Sequence, residues 1–76
     1  MPDRIVGEIP KSARESIRVS LREKGGTLGC DLRMATTIGH GPMRETPKGI
    51  RIPLARLADV IEALQEVQRL AGSIDQ

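Results

Sequence analysis

The chain has 76 residues, one cysteine, one histidine, no Phe, Tyr or Trp, and a net charge of +2 at neutral pH. It is therefore one domain at most, with no internal disulfide from Cys30 alone and no Cys/His zinc cage around His40. Chains this short bury only about 60% of the surface their unfolded form exposes, so a partner subunit is the expected source of extra stability.

Residues 1–16 show no sustained hydrophobic period, and Pro2, Gly7 and Pro10 interrupt them, so they read as a flexible or partly ordered arm. From Ile17 to Arg22 apolar and polar residues alternate, the pattern of a half-buried strand. Ile17, Val19 and Leu21 share one face; Arg18, Ser20 and Arg22 share the other. Gly25-Gly26 supplies the positive φ angles of a tight hairpin. Leu28, Cys30, Leu32 and Met34 then alternate with Gly29, Asp31 and Arg33, predicting a second strand paired antiparallel to the first. Cys30 falls on the apolar face, where a thiol acts as a small hydrophobe.

Residues 36–41 read as a turn, residues 43–46 as a short third strand, Pro47-Lys48-Gly49 as another turn, and Ile50-Arg51-Ile52 as a short fourth strand. Pro53 ends it, and a helix follows over 54–71. Its stripe of Leu57, Val60, Leu64, Val67 and Ala71 has a/d spacing, widened by Leu54 and Ile61. Gly72 is the expected C-cap. One side of one sheet does not easily hide so broad an apolar surface. The predicted fold is therefore α+β: a four-stranded antiparallel sheet followed by one C-terminal helix, dimerising through Leu57, Val60, Ile61, Leu64 and Val67. The domain is expected over 17–72, with a tail over 73–76.

The charge is uneven. Residues 11–56 hold ten Lys/Arg against four acids, a net +6, whereas residues 57–76 carry −3. A basic middle beside an acidic helix suggests one face for a polyanion and another for a different contact. Four arginines on one pleated face would repel one another unless Asp31 and a ligand offset them.

Catalysis has little to stand on. His40 lies between glycines with no partner or pocket in view, and no nucleophile triad or phosphate-cradling loop is present. The Gly-x-x-Gly of Gly26 to Gly29 falls in a hairpin and is discounted as an RNA clamp. No enzyme activity, cofactor or metal is expected. No apolar run approaches the length of a membrane span and no secretory leader is seen, so a cytoplasmic setting is expected. Arginines at alternate sheet positions, with Lys24 and Lys48 in turns, can instead track the phosphates of a flexible strand. The lack of aromatics removes the usual stacking platforms.

The stretch VSLREKGGTLGCDLRMATTIGHGPMRETPKGIRIPLARLADVIEAL (19–64) resembles the positive cofactor 4 family of single-stranded-DNA-binding transcriptional coactivators, especially its small bacterial members. The matching elements are Val19-Ser20-Leu21-Arg22, the Gly25-Gly26 hairpin, Asp31-Leu32-Arg33 and Lys48-Gly49-Ile50, in family order and spacing. The resemblance implies a helix-mediated homodimer with single-stranded nucleic acid lying across the sheets. By position it points to Arg22, Arg33, Lys48 and Arg44. With the sheet face and turns, the expected nucleic-acid-binding set is Arg18, Arg22, Lys24, Arg33, Arg44, Lys48 and Arg51. Lys24, Ala35, Thr36 and Leu57 stand where the family usually carries aromatics; the losses at Lys24 and at Ala35-Thr36 bear on base stacking, so binding is expected to be weaker and more salt-sensitive. The implied function is largely sequence-independent binding of single-stranded DNA or RNA in transcription regulation, replication or repair. The alternative from another class is a dimeric interaction module whose basic face docks an acidic protein.

Overall fold

In the computed structural model, residues 3–39 and 41–74 are described. They form β1 (Arg4–Pro10), β2 (Glu15–Lys24), β3 (Thr27–Thr36), β4 (Arg44–Pro53) and α1 (Leu54–Ile74). The strands make one antiparallel sheet in chain order, β1-β2-β3-β4, so β1 and β4 are its edges. The α+β class, the four antiparallel strands and the closing helix are as the sequence predicts.

The β2–β3 hairpin sets the register. Lys24 pairs with Thr27, leaving Gly25-Gly26 as a two-residue turn, with φ of 60° and 84°. Two consecutive positive φ angles match the right-handed twist of the strands, and glycine adopts them without a Cβ penalty. From this register the cross-strand rows follow. Leu21–Cys30–Ile52 and Val19–Leu32–Ile50 lie on the apolar face, while Ser20–Asp31–Arg51 and Arg18–Arg33–Gly49 lie on the polar one.

Three boundaries differ from the sequence reading. The segment expected to be an arm contributes β1, paired along β2. Its alternation is hidden because the register shifts between Ile5 and Gly7, leaving Val6 as an extra residue. Such a bulge puts Ile5 opposite Ser20 and Ile9 opposite Ile17, on opposite faces, and destroys the period of two. Secondly, the expected third and fourth strands are one strand, β4. Between Arg33↔Gly49 and Ala35↔Glu45 β4 uses two more residues than β3, so Pro47-Lys48 is a bulge rather than a turn. Proline fits there because β4 is an edge strand. Thr46 Oγ1 fixes the bulge, donating to Met34 O at 2.9 Å and accepting from Lys48 N at 3.3 Å. Gly49 closes it with φ of 154°, where a Cβ would strike Leu32 O and lie 2.9 Å from Arg33 Cα. Thirdly, α1 runs through Gly72 to Ile74, so Gly72 is not its C-cap and the expected tail over 73–76 loses its first two residues to the helix. The rest of that tail, His40 and the first two residues of the expected arm lie outside the described residues.

The helix packs mainly on β3 and β4 and buries none of its described residues. Ile61, Leu64 and Val67 are 48, 58 and 62% exposed, and Leu57 and Val60 are half-buried. The sheet's apolar face is also incompletely covered: Ile52 is buried, whereas Leu28 and Ile50 are exposed. The radius of gyration is 14.6 Å, against about 11 Å for a compact chain of this length. The accessible surface is 5995 Å², against about 4,600 Å² for a compact monomer of this mass. As a lone chain, then, the apolar side is left open.

Candidate nucleic-acid interface

The opposite side of the sheet is organised by charge. Small residues line its floor. Ser16, Ser20, Gly29 and Ala35 are buried, and they sit at positions where long side chains from the neighbouring rows can lie across them. Gly29 is the clearest case, because a Cβ there would lie 2.7 Å from the Cζ of Arg51. Without that Cβ the Arg51 guanidinium lies over the strand and donates from Nη2 to Thr27 O at 2.7 Å and Arg22 O at 3.2 Å.

Three further arginines and three carboxylates interlock. Arg18 Nε donates to Glu8 Oε1 at 2.9 Å, and its Nη1 is 3.6 Å from Glu45. Arg22 holds Glu45 through both Nη1 and Nη2 at 2.5 Å and stands 3.8 Å from Asp31. Arg33 forks onto Asp31 at 2.8 and 3.2 Å and donates from Nη1 to Pro47 O of the bulge at 2.8 Å. Bidentate pairs of this kind fix geometry as well as charge. The hydrogen bond from Arg33 holds the Asp31 carboxyl below its ordinary range, and Arg22 does the same for Glu45. Both carboxylates in turn raise their arginines. Asp31 is only 3% exposed, and a charge so far from water is tolerable only when paired and hydrogen-bonded.

The repulsion expected among the face arginines is thus offset within the chain, by Glu8 and Glu45 as well as Asp31. Arg51, held only by carbonyls, keeps its charge without a carboxylate partner among the described residues. Glu8 and Glu45 were invisible to sequence reasoning as partners, because alternation assigns a face to a residue but not a cross-strand neighbour.

The seven basic residues expected at the interface fall into two groups. Arg18, Arg22, Arg33 and Arg51 are engaged by carboxylates or carbonyls as above. Lys24, Arg44 and Lys48 are exposed, and their cationic groups make no hydrogen bond or ion pair among the described residues. A cleft of about 310 Å³ brings Arg22, Lys24, Arg33 and Arg51 together, with Asp31 and Glu45. Lys48 lies apart, on a cleft of about 290 Å³ with Lys11 and Met34, and Arg44 lines a third of about 300 Å³ with Thr36, Thr37 and Ile38. Arg18 lines none of the three. Pro47 belongs to both the first and the Lys48 cleft, so the β4 bulge forms the ridge between them.

This fold is similar to that of a PC4 homolog from Burkholderia pseudomallei K96243, solved in two crystal forms. The orthorhombic form superposes with a TM-score of 0.81 at 31% identity, covering 90% of this chain and 92% of that one. The chain belongs to the PC4-like family. The tetragonal form agrees, with a TM-score of 0.77 at 30% identity over 87% of this chain and 97% of that one. No family model matches the chain, and no curated protein matches it by sequence. Among the described residues no cluster of His, Cys, Asp and Glu could hold a metal ion, and no helix is long and apolar enough to cross a membrane.

Proposed function

We propose that this PC4-like chain is a non-enzymatic, largely sequence-independent single-stranded-DNA-binding protein, of the small bacterial coactivator type, acting as a homodimer in transcription regulation, replication or repair. The observation that carries the reading is the cleft gathering Arg22, Lys24, Arg33 and Arg51 on one sheet face. On that face Lys24 offers unpaired charge to phosphates, Arg51 offers a guanidinium bound only to carbonyls, and Arg22 and Arg33 build the cleft around them; Arg44 and Lys48 add unpaired charge from the two separate clefts. An open, gently twisted face suits a flexible single strand, whose backbone can follow the side chains, better than a rigid duplex.

The homodimer reading rests on the other side. The surplus of about 1,400 Å² over a compact monomer is more than the roughly 800 Å² each partner buries in a standard interface. The exposed Ile61, Leu64 and Val67 lie on that uncovered side.

The test is fluorescence anisotropy with single-stranded and duplex oligonucleotides across a salt series. Single strands should bind more tightly, with log K falling linearly in log salt. Lys24→Ala with Lys48→Ala should flatten the slope by about 1.4, at about 0.7 for each phosphate no longer neutralised. Arg69→Ala, on the acidic helix, should leave the slope unchanged. Equal effects of the lysine pair and Arg69→Ala would overturn the sheet-face reading. Because the chain has no aromatic residue to stack on a base, an acidic protein is the second reading, favoured if these proteins bind neither strand form.

A further inference from the structure

The polar sheet face holds a carboxylate in the fork of an arginine. Glu45 presents both oxygens to the two terminal nitrogens of Arg22, each at 2.5 Å. This is the fork geometry in which arginine also takes a phosphate. The same carboxylate lies 3.6 Å from Arg18. One acid therefore occupies the fork of one guanidinium on the face and flanks a second. Resting on the nucleic-acid reading above, we propose that Glu45 is an internal competitor for phosphate: it closes Arg22 to the backbone of a bound strand and so sets how many cations the face offers.

Glu45 and Asp31 are not equivalent in this respect. Asp31 lies on the central strand β3, 3% exposed, gripped by Arg33 and flanked by Arg22. Displacing it would strand a buried charge. Glu45 lies on the edge strand β4, next to the Thr46–Lys48 bulge, with its side chain 22% exposed. It can turn away from Arg22 toward solvent or settle on Arg18, so it keeps a partner when it leaves. Arg22 is likewise open to a ligand, with a side chain 28% exposed on the wall of the cleft that also holds Lys24. A phosphate arriving beside Lys24 therefore meets a guanidinium whose other ligand is replaceable.

The competitor also divides the labour of the face. With Glu45 in place, the first phosphates on this face fall to Lys24, with Arg51 in the same cleft. Exchange of Glu45 for phosphate then adds Arg22 as a second stage. Such an exchange costs one ion pair for each that forms, so it lowers affinity and makes release easier.

The experiment compares wild type with Glu45→Gln, Glu8→Gln and Glu23→Gln, using a labelled oligo-dT in anisotropy titrations across a salt series. Each substitution removes one negative charge. Glu23 lines the same cleft, but its carboxylate holds no guanidinium among the described residues, so it measures the bulk effect of charge. Glu45→Gln should bind about tenfold more tightly than wild type at low salt, the gain of one new charge-assisted hydrogen bond. Its salt slope should steepen by about 0.7 for the phosphate newly engaged. Glu8→Gln, which frees Arg18 from one of its two carboxylates, should move the same way by less. Glu23→Gln should change affinity by less than about threefold, as an exposed and screened charge does, with the slope unchanged. Thermal melts establish that each variant is folded, and if Glu45→Gln is not, Glu8→Gln against Glu23→Gln decides. Binding by wild type with no advantage of Glu45→Gln over Glu23→Gln overturns the competitor and leaves the nucleic-acid reading standing. No binding by any of the four proteins overturns both.

Discussion

The two sides of the sheet are completed in different ways. On the polar side every carboxylate of the network has a guanidinium, the guanidiniums not used there reach carbonyls, and small residues give the long chains room to lie flat. On the apolar side a 21-residue helix buries none of its described residues, and its stripe remains open to water. The difference separates what the chain settles by itself from what it leaves uncovered. Charges are neutralised locally because an unpaired buried charge would unfold a domain this small. Apolar area is left over because one helix lying on part of one sheet face cannot cover both its own stripe and that face.

The largest effect should come from breaking the open side. Leu64→Asp puts a charge in the middle of the exposed stripe. If two copies share that stripe, the change removes a buried leucine per protomer, about 2–5 kcal/mol, and adds a desolvated carboxylate. Light scattering should show monomers or an unfolded chain. A wild type that scatters as a folded 8.3 kDa monomer would show instead that the apolar side is self-sufficient.

The next effect lies on the edge between the two sides. Gly49→Ala would drive a Cβ into backbone, toward Leu32 O and the Cα of Arg33, at a φ of 154°. Backbone cannot give way as a side chain can, so a loss of about 2–4 kcal/mol is expected. Gly29→Ala tests the same geometry with a softer neighbour, because the atoms it meets are the end of the Arg51 side chain. It should cost less, since Arg51 can swing aside. The ratio of the two urea midpoints is the readout, and equal losses would mean that Arg51 is locked as firmly as backbone.

These glycines also mark how far the sequence could be read. Alternation over Ile17–Arg22 and Leu28–Met34, joined at Gly25-Gly26, defined the central hairpin and its two faces, and the spacing of Leu57, Val60, Leu64 and Val67 defined the helix. Alternation fails wherever a bulge adds residues. Val6 hid β1, and Pro47-Lys48 split β4 into two apparent strands with a turn between them. The basic residues of the candidate site could be named from the sequence, because charge is written there, but not which of them the fold gathers into one cleft. Their separation into engaged and free groups was not legible either, since the partners Glu8 and Glu45 come from the two edge strands, at sequence distances of 10 and 23 from Arg18 and Arg22.

A smaller effect distinguishes the two sides by pH. Asp31 is held below its ordinary value of 3.8 first by the hydrogen bond from Arg33, and Glu45 below 4.5 first by that from Arg22. A carboxyl depressed in the folded state contributes stability that is complete above its unfolded value and is lost as pH falls through the folded one. Urea midpoints should therefore hold steady from neutral pH down to about those ordinary values and fall below them. Asp31→Asn with Glu45→Gln should lower the midpoint near neutral pH and flatten the acid limb. Glu66 is also depressed, by Arg69, but it sits on an exposed helix where such pairs contribute little. Glu66→Gln should leave the acid limb in place. If it moves the limb as much as the double variant, the acid sensitivity belongs to the helix and not to the network.

The smallest effect probes whether the polar side is as complete as its ion pairs suggest. Ser16 is buried, and its Oγ has no hydrogen-bond partner among the described residues. Across the ladder it faces Ala35, which is fully buried. A hydroxyl in that position carries the cost of desolvation with nothing in return, so Ser16→Ala should match its neighbour and raise stability by up to about 1 kcal/mol. The space left by one oxygen is too small to offset that gain. Urea midpoints at neutral pH check the sign. A clear loss would mean that Ser16 Oγ is satisfied by a group from outside the chain, a bound strand or a second copy, and the polar side would then be no more self-contained than the open apolar side.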